Sequence, residues 1–201
     1  MFPLGTVLLP HAPLVLRIFE PRYLTMLGRL LDEDEPRFGV VLIERGSDAG
    51  GGEVRSRVGT LGRVVQVQVG ADDLVLVAVG GARIRVDEWL EDDPHPRAEV
   101  STLPPLEWDE ALAPLHAEAE RTVRRVLARA VEYGAVEWDA GTELSDDPVE
   151  SAWQLAAIAP LGEFDRFRLL HATTLGGLLR EVIHATIDIE PVLTAPPVDD
   201  E

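Results

Sequence analysis

Apart from one short helical stripe near the N-terminus, the hydrophobic period of this chain changes once, and the change falls at Leu103-Pro104-Pro105-Leu106. On the N-terminal side apolar residues recur every second position, the period of a strand. On the C-terminal side they recur every three or four, the period of a helix. The two prolines form a stiff connector, since neither a helix interior nor a sheet ladder accepts them. This reading divides the 201 residues into a β-rich part over 1–105, a helical part over 106–190 and a frayed tail over 191–201. The class is α+β.

In the first part Val65, Val67 and Val69 alternate with Gln66 and Gln68, which predicts a half-buried strand. Gly70-Ala71-Asp72-Asp73 reads as a turn, and Leu74 to Val79 returns as a continuous apolar strand. Past Gly80-Gly81, Arg83 and Arg85 alternate with Ile84 and Val86, as a new strand or a continuation beyond a bulge. Ala98 to Leu103 closes the set. One helix is expected here, over 21–31, with Pro21 at its first position, a stripe of Leu24, Leu27, Leu30 and Leu31, and Tyr23 at the edge of the stripe. Short strands around a single helix suggest a small, partly closed barrel. Gly50-Gly51-Gly52 reads as a hairpin loop, because a phosphate cradle would need a Lys, a Ser or Thr partner and a helix behind it.

In the second part a long helix is expected over 109–133, with Leu112, Leu115, Ala119, Val123, Val126 and Ala130 on one face and Pro114 in its first turn or two. Asp147-Pro148-Val149-Glu150 is a capping-box-like start for a second helix that carries Trp153 and Ala156 inward. A third over 163–171 presents Phe164, Phe167 and Leu170. A fourth over 174–188 follows Thr173 or Thr174 as cap.

Composition bounds the chemistry. The chain has no Lys and no Cys; its eighteen basic residues are all Arg. That excludes a Walker-type ATP site, a Schiff-base lysine, a cysteine nucleophile and thiolate metal ligation. Net charge is −18, with eleven Arg against sixteen carboxylates over 1–103 and seven against twenty over 104–201. A field of that sign repels phosphate backbones, so neither nucleic acid nor an anionic membrane is expected as partner. No stretch reaches the length of an apolar membrane span, and Pro3, Pro10 and Pro13 interrupt any signal-peptide core. The expected location is the cytoplasm.

The N-terminus carries a more specific signal. Phe2-Pro3-Leu4-Gly5-Thr6-Val7-Leu8-Leu9-Pro10 is followed by Arg17-Ile18-Phe19-Glu20-Pro21-Arg22-Tyr23, by Phe38-Gly39-Val40-Val41-Leu42-Ile43, by Val58-Gly59-Thr60 and, much later, by the Asp146-Asp147-Pro148 helix start. In this order the pieces resemble the Lon N-terminal domain, the substrate-binding module at the front of Lon-type ATP-dependent proteases, over nearly the whole chain. Ile84 departs from the family, where an aromatic is common, and the Gly-rich loop at 46–53 is local to this chain. The resemblance implies a PUA-like barrel with one helix followed by a helical bundle. It also implies a non-catalytic module that recognises unfolded or exposed apolar polypeptide, with no cofactor and no metal. The Ser-Lys peptidase dyad of such proteases cannot form without Lys, since a guanidinium does not deprotonate to serve as base.

Other residues offer less. His11, His95, His116, His171 and His184 show no metal-ligand spacing. The runs Asp32-Glu33-Asp34-Glu35, Glu91-Asp92-Asp93 and Asp146-Asp147 match no calcium loop. None of the five serines sits in a nucleophile elbow, although a triad could still assemble in space. The Arg17–Tyr23 corner is the candidate site. Glu20 can pair there with Arg17 or Arg22, and the outer face of the helix is expected to present Arg22, Thr25 and Arg29 beside aromatic Phe19 and Tyr23. Arg and Tyr combine contact area with directional bonding, which suits a protein-binding surface. The favoured function is a polypeptide-binding adaptor or chaperone-like module. The alternatives are a PUA-like small-molecule or RNA-binding module and a cryptic hydrolase.

Overall fold

The computed structural model describes residues 1–45, 54–70, 73–131 and 138–193. The chain forms two compact units, Met1–Pro105 and one beginning at Leu106. The first holds β1 (Phe2–Leu4), β2 (Pro13–Ile18), α1 (Pro21–Leu30), β3 (Arg37–Arg45), β4 (Val54–Val69), β5 (Leu74–Leu90) and β6 (Arg97–Thr102). They form one sheet in the order β1-β3-β4-β5-β2, with β6 also on β5. β1 runs parallel to β3 and every other pairing is antiparallel. The strand path does not close on itself: β1 and β2 are its two ends.

The long β5 pairs with β4 along one edge and serves two neighbours in turn along the other. Its first half pairs with β2 and its second half with β6, so the Gly80-Gly81 segment is a continuation past an irregularity rather than a strand boundary. Gly80 is bracketed by the turn before β2: His11 N–H donates to Gly80 O at 2.8 Å and Gly80 N–H donates to Ala12 O at 2.9 Å. His11 itself has φ 57°, the left-handed region, as this tight corner requires.

The core of this unit lies between the sheet and α1. Tyr23, Met26 and Leu27 of α1 join Phe2, Leu8, Ile18, Phe38, Val40, Leu76 and Ala78 in one buried cluster, with Leu24 and Leu30 half-buried at its margin. Leu31, expected in the stripe, caps the helix and is exposed. The alternation expected for β4 is also displaced. One extra residue in β4 between the Val64–Ala78 and Gln66–Val77 pairs forms a bulge, so Val64 and Val67 face the core while Val65 is exposed. Val69 shares the parity of Val67 and is exposed as the last residue of the strand. The Gly50-Gly51-Gly52 loop lies outside the described residues, as do Ala71 and Asp72 of the expected turn.

The second unit contains a 3₁₀ turn (Glu110–Leu112), α2 (Ala113–Val131), α3 (Pro148–Ile158), α4 (Glu163–Leu169) and α5 (Leu175–Leu193). Asp109 caps the turn through the Ala111 N–H, which places Pro114 in the first turn of α2, where its missing N–H costs nothing. α2 buries Ala119, Val123, Val126, Leu127 and Ala130, and α5 buries Leu175, Leu178, Leu179, Val182 and Ile183. Thr174 Oγ1 caps α5 by accepting from Gly177 N–H at 3.1 Å. The helix runs on through Pro191 to Leu193, further than its expected end, and the rest of the expected tail lies outside the described residues. Near that end Glu190 receives Arg125 at 2.6 Å and also Arg129; these hydrogen bonds hold its carboxyl below the usual range. Of the apolar residues expected on the third helix, Phe164 is 71% exposed and Leu170 is buried, with Leu169 beside it.

α3 shows how local chemistry starts a helix. The Asp147 carboxylate accepts from the N–H groups of Val149 and Glu150, each at 2.9 Å, and Pro148 occupies the first position. The expected box is closed through Ser145, whose Oγ donates to Glu150 and accepts from Asp147 N–H. Asp147→Ala should cost about 1 kcal/mol. The melting temperature should fall by roughly 4–8 °C, whereas Asp147→Asn keeps an acceptor and most of the stability. Equal melting of the Ala variant and the parent would show that the cap contributes nothing.

Candidate functional site

The Arg17–Tyr23 corner divides into a structural half and an exposed half. Glu20 precedes α1 in extended geometry and accepts from Arg22 Nε at 2.9 Å. The Arg22 guanidinium lies over the Tyr23 ring, 4.6 Å from its centroid, with 22% of its side chain exposed. Tyr23 is not beside the surface as expected. It is 3% exposed and stacks on Phe2 with ring centroids 3.9 Å apart. A helix period of 3.6 puts Tyr23 on the same face as Met26 and Leu27, and that face is the one the sheet covers. Arg22 and Tyr23 therefore hold the corner together. Phe19, Thr25 and Arg29 are exposed, though the Thr25 hydroxyl is spent on Pro21 O at 2.9 Å.

Phe19 belongs with β2 more than with α1. Cross-strand partners share a face of a sheet, and three rows can be followed from β2 through β5 to β4. These rows are Pro13–Val79–Arg63, Val15–Val77–Gln66 and Arg17–Val75–Gln68. They lie opposite the core-facing rows of Leu14–Ala78–Val64 and Leu16–Leu76–Val67. The outer face is consequently rich in valine. Val15 is 65% exposed, bulged Val65 adds to the same region of β4, and Phe19, 64% exposed, follows at the end of β2. Arg17 Nε pairs with Asp73, yet its side chain remains 78% exposed.

This surface was legible in part. An antiparallel strand with one wet face normally alternates, whereas Leu74 to Val79 is apolar throughout. Its unbroken run signals that both faces of β5 are made for apolar cover. The β4 alternation hid the partner signal, because the bulge turns Val65 outward.

Other groups assemble no chemistry. His116 Nε2 meets Ser151 Oγ at 3.1 Å, but Ser151 is buried on α3 and no carboxylate orients His116 among the described residues. Arg83 is buried on β5 and donates to Pro104 O at 2.8 Å; burial pushes its guanidinium below its usual range. A depression between α4 and α5 is lined by Arg168, His171, Thr173 and Glu181. Its charged groups are already engaged, Arg168 with Glu181 and with Asp165. Among the described residues no cluster of His, Asp and Glu could hold a metal, and no helix is long and apolar enough to cross a membrane.

Residues 1–186 match the family of the ATP-dependent protease La (LON) substrate-binding domain. The chain belongs to that family. Among solved structures it is similar to a Lon N-terminal domain protein from Xanthomonas campestris, at 31% identity and a TM-score of 0.66, over 91% of this chain and 95% of that one. It also shares the fold of the N-terminal domain of the Mycobacterium avium complex Lon protease, at 17% identity and a TM-score of 0.64, over 92% and 94% of the two chains. Comparison with curated protein sequences gives no match. The α+β architecture with its open sheet is thus that of Lon N-terminal domains, and the Phe2–Tyr23 region lies inside the matched span. The Lon substrate-binding domain family is one of recognition rather than catalysis.

Proposed function

We propose that this protein is a non-catalytic polypeptide-binding module that holds unfolded or exposed apolar segments, in an adaptor or chaperone-like role. The observation that carries the reading is the outer sheet face, with exposed Val15, Val65 and Phe19 on a chain of net charge −18. Exposed apolar side chains on β2 and β4, with the half-buried valines of β5 between them, mark an interaction surface. Phe19 supplies the aromatic anchor. Membership of the substrate-binding family supports the same partner class.

The test uses fluorescently labelled casein as an unfolded client. Val15→Asp with Phe19→Asp should weaken binding about tenfold or more, since a buried Val or Phe contributes roughly 1.5–3 kcal/mol. The melting temperature should stay near that of the parent, because exposed positions tolerate substitution. Arg22→Glu should do the reverse, lowering stability through the lost Glu20 pair and the Tyr23 contact. With ATP present, casein should remain uncleaved. Unchanged casein binding by the double variant would sink the assignment of this face.

A further inference from the structure

We propose that the segment bound is an extended one that joins the open side of β2 as an additional strand, with an acidic residue between two apolar ones at alternate positions. This rests on the polypeptide-binding reading above and specifies its mode and the partner's chemistry.

β2 is an end of the strand path, and no described strand pairs with its other side. Gly80 N–H donates to Ala12 O, which sets the phase of the ladder. Bonding alternates along an antiparallel strand, so Leu14, Leu16 and Ile18 turn their backbone groups to β5. Val15 and Arg17 turn theirs to the open side, where a strand can be added through main-chain hydrogen bonds. The same two residues place their side chains on the outer face. Phe19 continues the two-residue period beyond the strand, so an incoming strand meets Val15, Arg17 and Phe19 in turn. The complement of that order is apolar, acidic, apolar.

Charge selects the occupant. β2, β4 and β5 as far as Val86 contain six of the eighteen arginines and not one carboxylate. Arg55 and Arg85 pair with Asp92 and Asp87 and Arg83 is buried, whereas Arg17, although paired with Asp73, keeps 78% of its side chain exposed at the open edge. Arg63 has no carboxylate partner among the described residues, and its cross-strand neighbour on β3 is Arg37. A second copy of the chain would bring Arg17 against the same edge and −18 against −18. Single-stranded RNA would need successive aromatic platforms, whereas this edge offers Phe19 alone, and a net charge of −18 repels its phosphates.

The experiment measures binding of the full chain to fluorescent nine-residue peptides by anisotropy. A peptide alternating valine and glutamate should bind about fivefold more tightly than its lysine counterpart, and Arg17→Glu should invert the preference. Backbone N-methylation of alternate residues should cost about tenfold in one parity and little in the other, since only one edge of the peptide bonds to β2. Val15→Pro, which removes an N–H only from the open side, should reproduce that loss without lowering the melting temperature. Equal loss in both methylated series, or no glutamate preference, would overturn the strand-addition proposal while casein binding kept the broader reading alive. Failure to bind casein as well would remove both. Displacement of the peptide by single-stranded RNA, or a dimer lost on Val15→Pro, would also overturn the proposal by giving the edge to another occupant.

Discussion

Tyr23→Ala should unfold most of the first unit's stability, at a cost of about 3–5 kcal/mol. The ring is 3% exposed and sits between Phe2 and the rest of the core cluster, so its removal leaves a cavity rather than a hydrated surface. It also takes away the face on which the Arg22 guanidinium rests. For a unit of this length the melting temperature should fall by roughly 15 °C or more. Tyr23→Phe retains the ring and should lose far less. Phe19→Ala, four residues earlier, should change stability by no more than about 0.5 kcal/mol, because that ring is already in water. Thermal melts of the three variants decide the matter. If Tyr23→Ala melts with Phe19→Ala, the corner is not anchored through this ring.

Gly59→Ala should be nearly as damaging, at about 3 kcal/mol. A Cβ built on Gly59 would lie 2.0 Å from Val40 O and 2.8 Å from Val41 Cγ1. The nearest atom is backbone of the paired strand β3, which cannot move aside by a rotamer change; the β3–β4 ladder itself must open. Gly28, on the exposed side of α1, has nothing within 4 Å of the corresponding Cβ. Gly28→Ala should therefore be neutral or stabilising, by up to about 1 kcal/mol from helix propensity. Urea unfolding of both variants supplies the comparison. A Gly59→Ala protein as stable as its parent would mean that β3 and β4 are further apart than this register requires.

Much of the local structure could be read from residue types. Pro21 opens α1 and Pro148 opens α3 because a missing N–H is harmless in a first helical turn. Asp147 caps because its short carboxylate reaches two N–H groups at once. The order of short strands, one helix and then a helical bundle follows from the hydrophobic periods, and its motifs resemble those of the Lon family. The candidate site was legible only as a neighbourhood. Phe19, Arg22, Tyr23, Thr25 and Arg29 stand within a few residues of one another, but Arg22 and Tyr23 are committed to packing.

Sequence alone determined the class of the fold, the helix starts and the chemistry that cannot occur without Lys or Cys. These are properties of single residues or of short periodic windows. Only the tertiary structure decided which aromatic of the corner faces water and which face of β4 and β5 stays uncovered. A single bulge between Val64 and Gln66 reverses the parity of every later side chain, and nothing in the local alternation records it. The parity is fixed instead by residues far away in the chain: Pro13, Val15 and Arg17 on β2 are paired to β5 more than fifty residues later. Which side becomes surface then depends on where α1 lies, because one helix can bury only one face of a sheet.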